Sequence, residues 1–361
     1  MISLSVFHSW FYQSWGTGRR SSSRPSGQVS LVLRVLRVLR ASWLGRALAP
    51  IRSGLAALAF VAILAPAPAG AEDLVKEALA SFPPKTVRLE YSSPAKLREL
   101  PDYAKLRQHY LGPSLRELET SLGKLGIEEG DIDELALGWQ SGTSGLVMQG
   151  LAVGHFNAGD VARKAAAQGI KPVLTAGQAV YCFGADSDSP CVMILSPTLG
   201  AFGIGSALGR MAQARGGQAP SLNSDSSFVS LVTQDRKDTP IWGVATGPAV
   251  VDWFKGWMPS QKNLQLDWQS QFQSVQSLAY SVKPKQQVEL DVQMDCTSAQ
   301  SAGSLRQVFD GLKLFQQVAW QQRNPGRPNP FQGLAVDSSG PQVLLTLNTP
   351  YAALEGGVSN Q

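Results

Sequence analysis

The chain has 361 residues, of which 43% are hydrophobic and 16% charged, and its formal net charge is +5. Residues 1–71 hold eight of its 32 Lys and Arg residues and no acid, which leaves 24 basic against 27 acidic residues in 72–361, a net charge of −3. A basic balance confined to one end is no argument for nucleic-acid binding, which needs a basic face on a folded domain.

Residues 52–73 read RSGLAALAFVAILAPAPAGAED. Arg52 is followed by an uncharged apolar core at 54–64, by Pro66 and Pro68, and by the small-x-small site Ala69-Gly70-Ala71. This is the pattern of a secretory signal peptide cleaved near Ala71–Glu72, with the product periplasmic or secreted. The rival is a retained N-terminal anchor, but a spanning helix needs about 20 apolar residues and the prolines break this one. An uncleaved leader is the only membrane contact the sequence suggests. The leader is long against the usual length of about 15–30 residues. Residues 1–30 lack periodicity, and a start at Val29 or Val32, beside the repeat LVLRVLRVLR, is expected instead of Met1.

Residues 72–85 predict a short helix ended by Pro83-Pro84, and 86–93 a strand in which Val87, Leu89 and Tyr91 alternate with polar residues. Ser92 or Ser93 caps the helical region that follows, with Pro94 in its first turn, and residues 114–123 carry Leu115, Leu118 and Leu122 on one face. Residues 131–140 and 146–156 read as a hairpin, Asn157 caps a helix stopped by Gly169, and 179–183 and 191–195 are strands. Helices follow at 206–214 and 227–234, a strand at 240–246, a helix at 248–257 and a strand at 274–282. The clearest strand is 287–296, with Val288, Leu290, Val292 and Met294 on one side and acidic or amide side chains on the other. A long helix beginning at Thr297 or Ser298 carries Leu305, Phe309, Leu312 and Phe315, and 333–337 and 342–347 close with another hairpin.

The order β-α-β-β-α-β thus occurs twice, at about 86–183 and 240–347. It implies an α+β chain of two tandem ferredoxin-like units with antiparallel sheets, divided as 72–223 and 224–361 after the leader 1–71. The runs SSPAKLRELPDYAKLR, GHFNAGDVARKAAAQG and MILSPTLGAFGIGSALGRMAQARGGQAPSLNSDSSFVSLV, together with PIWGVA, resemble a group of exported bacterial proteins of unknown function. The resemblance covers roughly 86–246. It implies the fold class and the exported compartment and brings no activity, because its shared positions are apolar and turn residues.

Cys182 and Cys191 fall on facing strands and form a candidate disulfide. So short a loop would contribute about 2–3 kcal/mol in the chain-entropy model. Cys296 is then left as a buried thiol. His109 and His155, the two histidines past the leader, form no metal-ligand pattern. Ser-x-x-Lys occurs at Ser93–Lys96 and Ser121–Lys124 and Ser-x-Asn at Ser221–Asn223, but a Lys-Thr-Gly near the C-terminus is missing, so the penicillin-recognising set is incomplete. The stretch 200–209, GAFGIGSALG, opens a helix like a phosphate-binding turn with the wrong glycine spacing. The acidic groups at 128–134 and Asp186/Asp188 read as solvated turns rather than Ca²⁺ loops. No catalytic residue, metal site or cofactor is assigned.

Trp253, Phe254, Trp257 and Trp268 make residues 242–272 aromatic-rich, the leading place for a ligand or interface face. The functional expectation is an exported, non-catalytic protein that binds an envelope partner or a small ligand. A hydrolase with a dispersed site and a self-associating structural envelope protein are the alternatives.

Overall fold

A computed structural model describes residues 71–100, 103–104, 107, 113–142, 145–186, 189–235, 237–257 and 267–355, with side chains for all of these but 71–73, 113–118, 255–257 and 355. Its strands are β1 (Thr86–Ser92), β2 (Ile132–Gly142), β3 (Gly145–Gly154), β4 (Val173–Thr175), β5 (Gln178–Cys182) and β6 (Pro190–Ser196), then β7 (Leu199–Ile204), β8 (Ile241–Thr246), β9 (Val275–Pro284), β10 (Val288–Cys296), β11 (Leu334–Ser339) and β12 (Gln342–Thr349). The helices are α1 (Ala71–Ser81), α2 (Pro94–Arg98), α3 (Pro113–Lys124), α4 (Ala158–Ala167) and α5 (Gly205–Arg215), then α6 (Ser226–Asp235), α7 (Pro248–Trp257), α8 (Trp268–Phe272), α9 (Ala299–Arg323) and α10 (Tyr351–Glu355).

All twelve strands form one sheet in the order β11-β12-β10-β9-β8-β1-β2-β3-β7-β6-β5-β4, and each neighbouring pair is antiparallel. This overturns the two ferredoxin-like units. A split βαβ unit needs a helical crossover to a strand that is not the next neighbour. Here α2 and α3 lie in the connection between β1 and β2, yet those strands pair directly, and the same holds for α7 and α8 between β8 and β9. The pairing of β1 with β8 then continues the sheet from one half of the chain into the other. Two strands were also hidden. Gly200 and Gly203 interrupt the apolar pattern of β7, and β4 has only three residues.

Both faces of the sheet carry helices, and the side-chain period of two sorts each strand between them. On one face, Leu89 and Tyr91 of β1 pack with α1, α5 and α6 through Leu74, Ala78, Leu208, Met211, Phe228 and Val232. On the other, α7, α8 and α9 cover β8, β9, β10 and β12, while α4 packs on Ala152, Tyr181 and Val192. α1 presents Leu74, Val75, Ala78 and Leu79 as one stripe, and Phe82 beyond it lies over Gly138. None of the described helices is long and apolar enough to cross a membrane.

β1 lies at the centre and buries two charges. Arg88 and Glu90, two residues apart, share the face opposite to Leu89; both side chains are almost fully buried and form an ion pair. The Arg88 guanidinium stacks 4.3 Å from the centroid of the Trp139 ring, and Trp139 is its register partner on β2. Burial lowers Arg88 to about 10, with Tyr280 and Asp252 opposing, and burial raises the Tyr280 hydroxyl above its ordinary value. Between pH 10 and the ordinary 12.5 Arg88 by itself makes stability rise with pH, because the unfolded chain keeps a proton that the folded chain has released, while the raised Tyr280 hydroxyl acts in the opposite sense over the same window. Gly243 on β8 faces Glu90, and a Cβ there would stand 2.7 Å from the Tyr280 hydroxyl oxygen. Only glycine lets the Tyr280 ring lean across toward β1.

Two outcomes follow for denaturant unfolding. Glu90→Ala strands the Arg88 charge and is expected to cost about 3–5 kcal/mol, whereas the double variant Arg88→Met/Glu90→Leu loses much less. Strictly additive losses would show that the pair is not coupled. Gly243→Ala, by displacing the Tyr280 ring, is expected to cost about 1–3 kcal/mol.

Candidate functional site

The aromatic stretch predicted as a ligand face is built by α7, α8 and α9. Gly247, at φ +56°, reverses the chain after β8, and Pro248 at the first helical position starts α7. Ser298 caps α9 by accepting from the Ser301 N–H at 3.1 Å. α9 lays Ala302, Leu305, Phe309, Leu312, Gln316 and Trp320 on the sheet. Phe254 joins the three helices: its ring centroid lies 4.5 Å from Phe272, 5.4 Å from Phe309 and 4.8 Å from Trp253. Trp253 in turn lies 4.9 Å from Tyr280, which ties the cluster to the buried charges of β1.

Trp253 and Phe254 are 1% and 3% exposed, so they present no outer face. Trp268 is half-buried at 5.9 Å from Phe272, and the Trp257 side chain lies outside the described residues. Between α7, α9 and the sheet lies a partly open cavity of about 60 Å³. Leu290, Val292, Leu345 and Leu347 form its floor on β10 and β12, α9 roofs it with Phe309 and Leu312, and Trp253 and Phe254 stand at one end. The polar side chains on its lining are Gln316, which is buried, and Lys313, which is partly exposed. The outward face of the same helix shows Leu314, Phe315 and Val318 to solvent.

The sequence singled out the aromatic residues at one end of this cavity and the stripe of α9 without joining them. Lys313 was missed: a lysine beside a buried stripe has no signature until the sheet beneath it is placed. The buried Arg88 and Glu90 were missed too, because in TVRLEYS they occupy the polar side of an alternating strand.

The other candidates resolve into structural roles. Cys182 and Cys191 are register partners on β5 and β6 and are joined as a disulfide with a Cα–Cα distance of 4.0 Å. Cys296 is a buried free thiol, and burial and the Asp295 carboxylate push it up, away from a reactive thiolate. Ser93 of the first Ser-x-x-Lys caps α2 by accepting from the Lys96 N–H, while Lys96 points to Asp238 at 3.7 Å. Ser121 and Lys124 belong to α3, and Ser221–Asn223 enters a short 3₁₀ turn. The glycine-rich 200–209 is strand β7 running into α5.

The acidic run at 128–134 is engaged by one cation. Arg98 donates to the Ile132 and Glu129 carbonyls at 2.9 and 3.0 Å and to the Glu129 carboxylate at 3.1 Å, and it pairs with Asp133 at 3.5 Å. The Tyr103 hydroxyl donates to the same Glu129 oxygen at 2.7 Å, and burial together with that bond raises it above its ordinary value. His155 is exposed, 3.6 Å from Asp133, and His109 lies outside the described residues. Among the described residues no group of three or more His, Cys, Asp or Glu could hold a metal ion.

No protein-family model and no curated protein matches the chain. Solved structures of TP0453, a Treponema envelope protein, overlap it at TM-scores of 0.45 for crystal form I, with 10% identity over 78% of this chain and 95% of that one, and 0.44 for form III, with 9% identity over 78% and 96%. These similarities are too weak to carry an argument about fold or function.

Proposed function

We propose that this chain is an exported, non-catalytic binding protein and that the cavity beneath α9 takes a slender apolar ligand with an anionic end. The lining of that cavity carries the reading. Its floor, roof and end are aliphatic and aromatic, and among the described residues its lining side chains include no hydroxyl, thiol, imidazole or carboxylate. Such a set holds and orients a ligand but offers no hydroxyl or thiol nucleophile and no carboxylate base. The volume of about 60 Å³ suits a chain segment rather than a fused ring system. Lys313 can keep its apolar stem along the cavity while its ammonium meets a carboxylate or phosphate at the opening. The leader at 52–73 supports export.

Titration of the purified protein with a fluorescent fatty acid, and with the alcohol of the same chain length, tests this. Both are expected to bind. Leu312→Trp, which fills the cavity, abolishes both without a loss of the folded state by circular dichroism. Lys313→Glu weakens the acid roughly fivefold, the scale of a partly exposed ion pair at about 1 kcal/mol, and leaves the alcohol unchanged. Failure of both probes to bind, or binding indifferent to Leu312→Trp, overturns the proposal.

A further inference from the structure

The edge of the sheet far from the cavity is closed by the hairpin of β4 and β5. Its turn residues Ala176 and Gly177 both have positive φ, +49° and +78°, as a tight two-residue hairpin requires. β4 pairs only with β5, and β5 meets β6 through three register pairs: Val180–Met193, Tyr181–Val192 and Cys182–Cys191. One of the three is the disulfide. The hairpin is also held by the Phe183 N–H, which donates to the Pro190 carbonyl at 2.9 Å, and by Thr175 beside Gly209 of α5. Val180 and Tyr181 are buried, but Val173 and Leu174 are 59% and 77% exposed. The Cys182–Cys191 bond is therefore the covalent tie between an edge hairpin and the rest of the sheet.

The surroundings of the two sulfurs differ from those of an inert structural bridge. Cys191 is 3% exposed, whereas Cys182 is partly exposed and opens onto the exposed residues 184–186. The first residue of α5 packs on the bridge: a Cβ on Gly205 would stand 3.6 Å from the Cys191 sulfur and 3.8 Å from that of Cys182. Ile204, which precedes α5, offers no side-chain cap to the first turn. The uncapped positive end of an eleven-residue helix thus faces the sulfurs, and a helix N-terminus stabilises thiolate.

We propose that Cys182–Cys191 is a thiol–disulfide exchange site for an external dithiol, and that its opening releases the β4–β5 hairpin from the sheet edge. The thiolate of the dithiol attacks Sγ of Cys182, the less buried of the two cysteines. A mixed disulfide forms, the Sγ–Sγ bond breaks, and the electron pair leaves on Cys191 Sγ as a thiolate at the start of α5. The second thiol of the reagent loses its proton to solvent and attacks its own partner sulfur, releasing Cys182, which takes up a proton. The dithiol ends as a disulfide, and its two electrons reside on the cysteine pair. The register pairs of β5, without the covalent bond, and the burial of Val180 and Tyr181 then hold the hairpin. The proposal does not depend on the cavity.

Dithiothreitol treatment of the intact oxidised protein at neutral pH without denaturant tests it, followed by iodoacetamide quenching, peptide mass spectrometry and hydrogen exchange. Cys182 and Cys191 are expected to be alkylated within minutes while buried Cys296 stays unlabelled. Amide exchange in 173–182 is expected to accelerate at least tenfold, with 288–296 unchanged. In Cys182→Ser, the alkylation midpoint of Cys191 is expected below the ordinary value of about 8.5. Reduction only in denaturant, unchanged exchange in the hairpin, exchange that rises equally in 288–296, or a midpoint at or above the ordinary value would each overturn it.

Discussion

β1 is the constraint on which the rest of the structure depends. It is paired on both edges, by β2 and β8, and covered on both faces, so each of its side chains is sorted into a packed layer. On one face it places Leu89 and Tyr91 against α1. On the other it places Arg88 and Glu90 into a region that water does not reach. A charge there is tolerated only because its counter-charge is two residues away on the same face, the Trp139 ring lies beneath it and Tyr280 lies beside it. These partners come from β2 and β9, which are far apart in the chain. A shifted register would carry both charges of β1 away from the Trp139 and Tyr280 rings, so these contacts favour the observed pairing.

From this centre the packing runs outward to the cavity. Tyr280 leans over Gly243 toward β1, Trp253 packs on Tyr280, and Phe254 links Trp253 to Phe272 and Phe309. The aromatic rings fill the space where α7, α8 and α9 converge. Beyond Phe309 the roof of α9 continues with Leu312 and Gln316, and the space it shares with the leucines of β10 and β12 is left incompletely filled. A long helix resting on alternating strand faces buries its stripe readily, but filling every gap requires matched side chains at each crossing. The cavity is a place in this fold where that match is loose.

The two ends of the sheet are finished differently. The β11 end is a hairpin with α9 packed over it, so its edge belongs to the same layer as the cavity. The β4 end is a three-residue strand whose attachment depends on β5 and on one disulfide. Short edge strands limit unwanted pairing with other chains. They also gain little from burial, which is why a covalent bond has so large a share in holding this one.

Local features were legible because they rest on local physics. The alternation in VELDVQMDC, the stripe of the long helix, Asn157 and Ser298 as caps and the facing positions of Cys182 and Cys191 depend on spacing alone, and these elements are present in the structure. The two ferredoxin-like units were not. Whether a helix between two strands crosses over or simply returns depends on which strands become neighbours, and that is decided by long-range pairing such as Leu89 with Val244. β7 was illegible for a related reason: its glycines make room for the Phe156 ring and for the backbone at Gln149, contacts that exist only after folding. By itself the sequence determined most of the elements and their caps, since each depends on residues close in the chain. The tertiary structure alone decided that there is one sheet, that Arg88 and Glu90 are buried, and that Trp253 lines a cavity instead of a surface, because each follows from segments that are far apart in the chain.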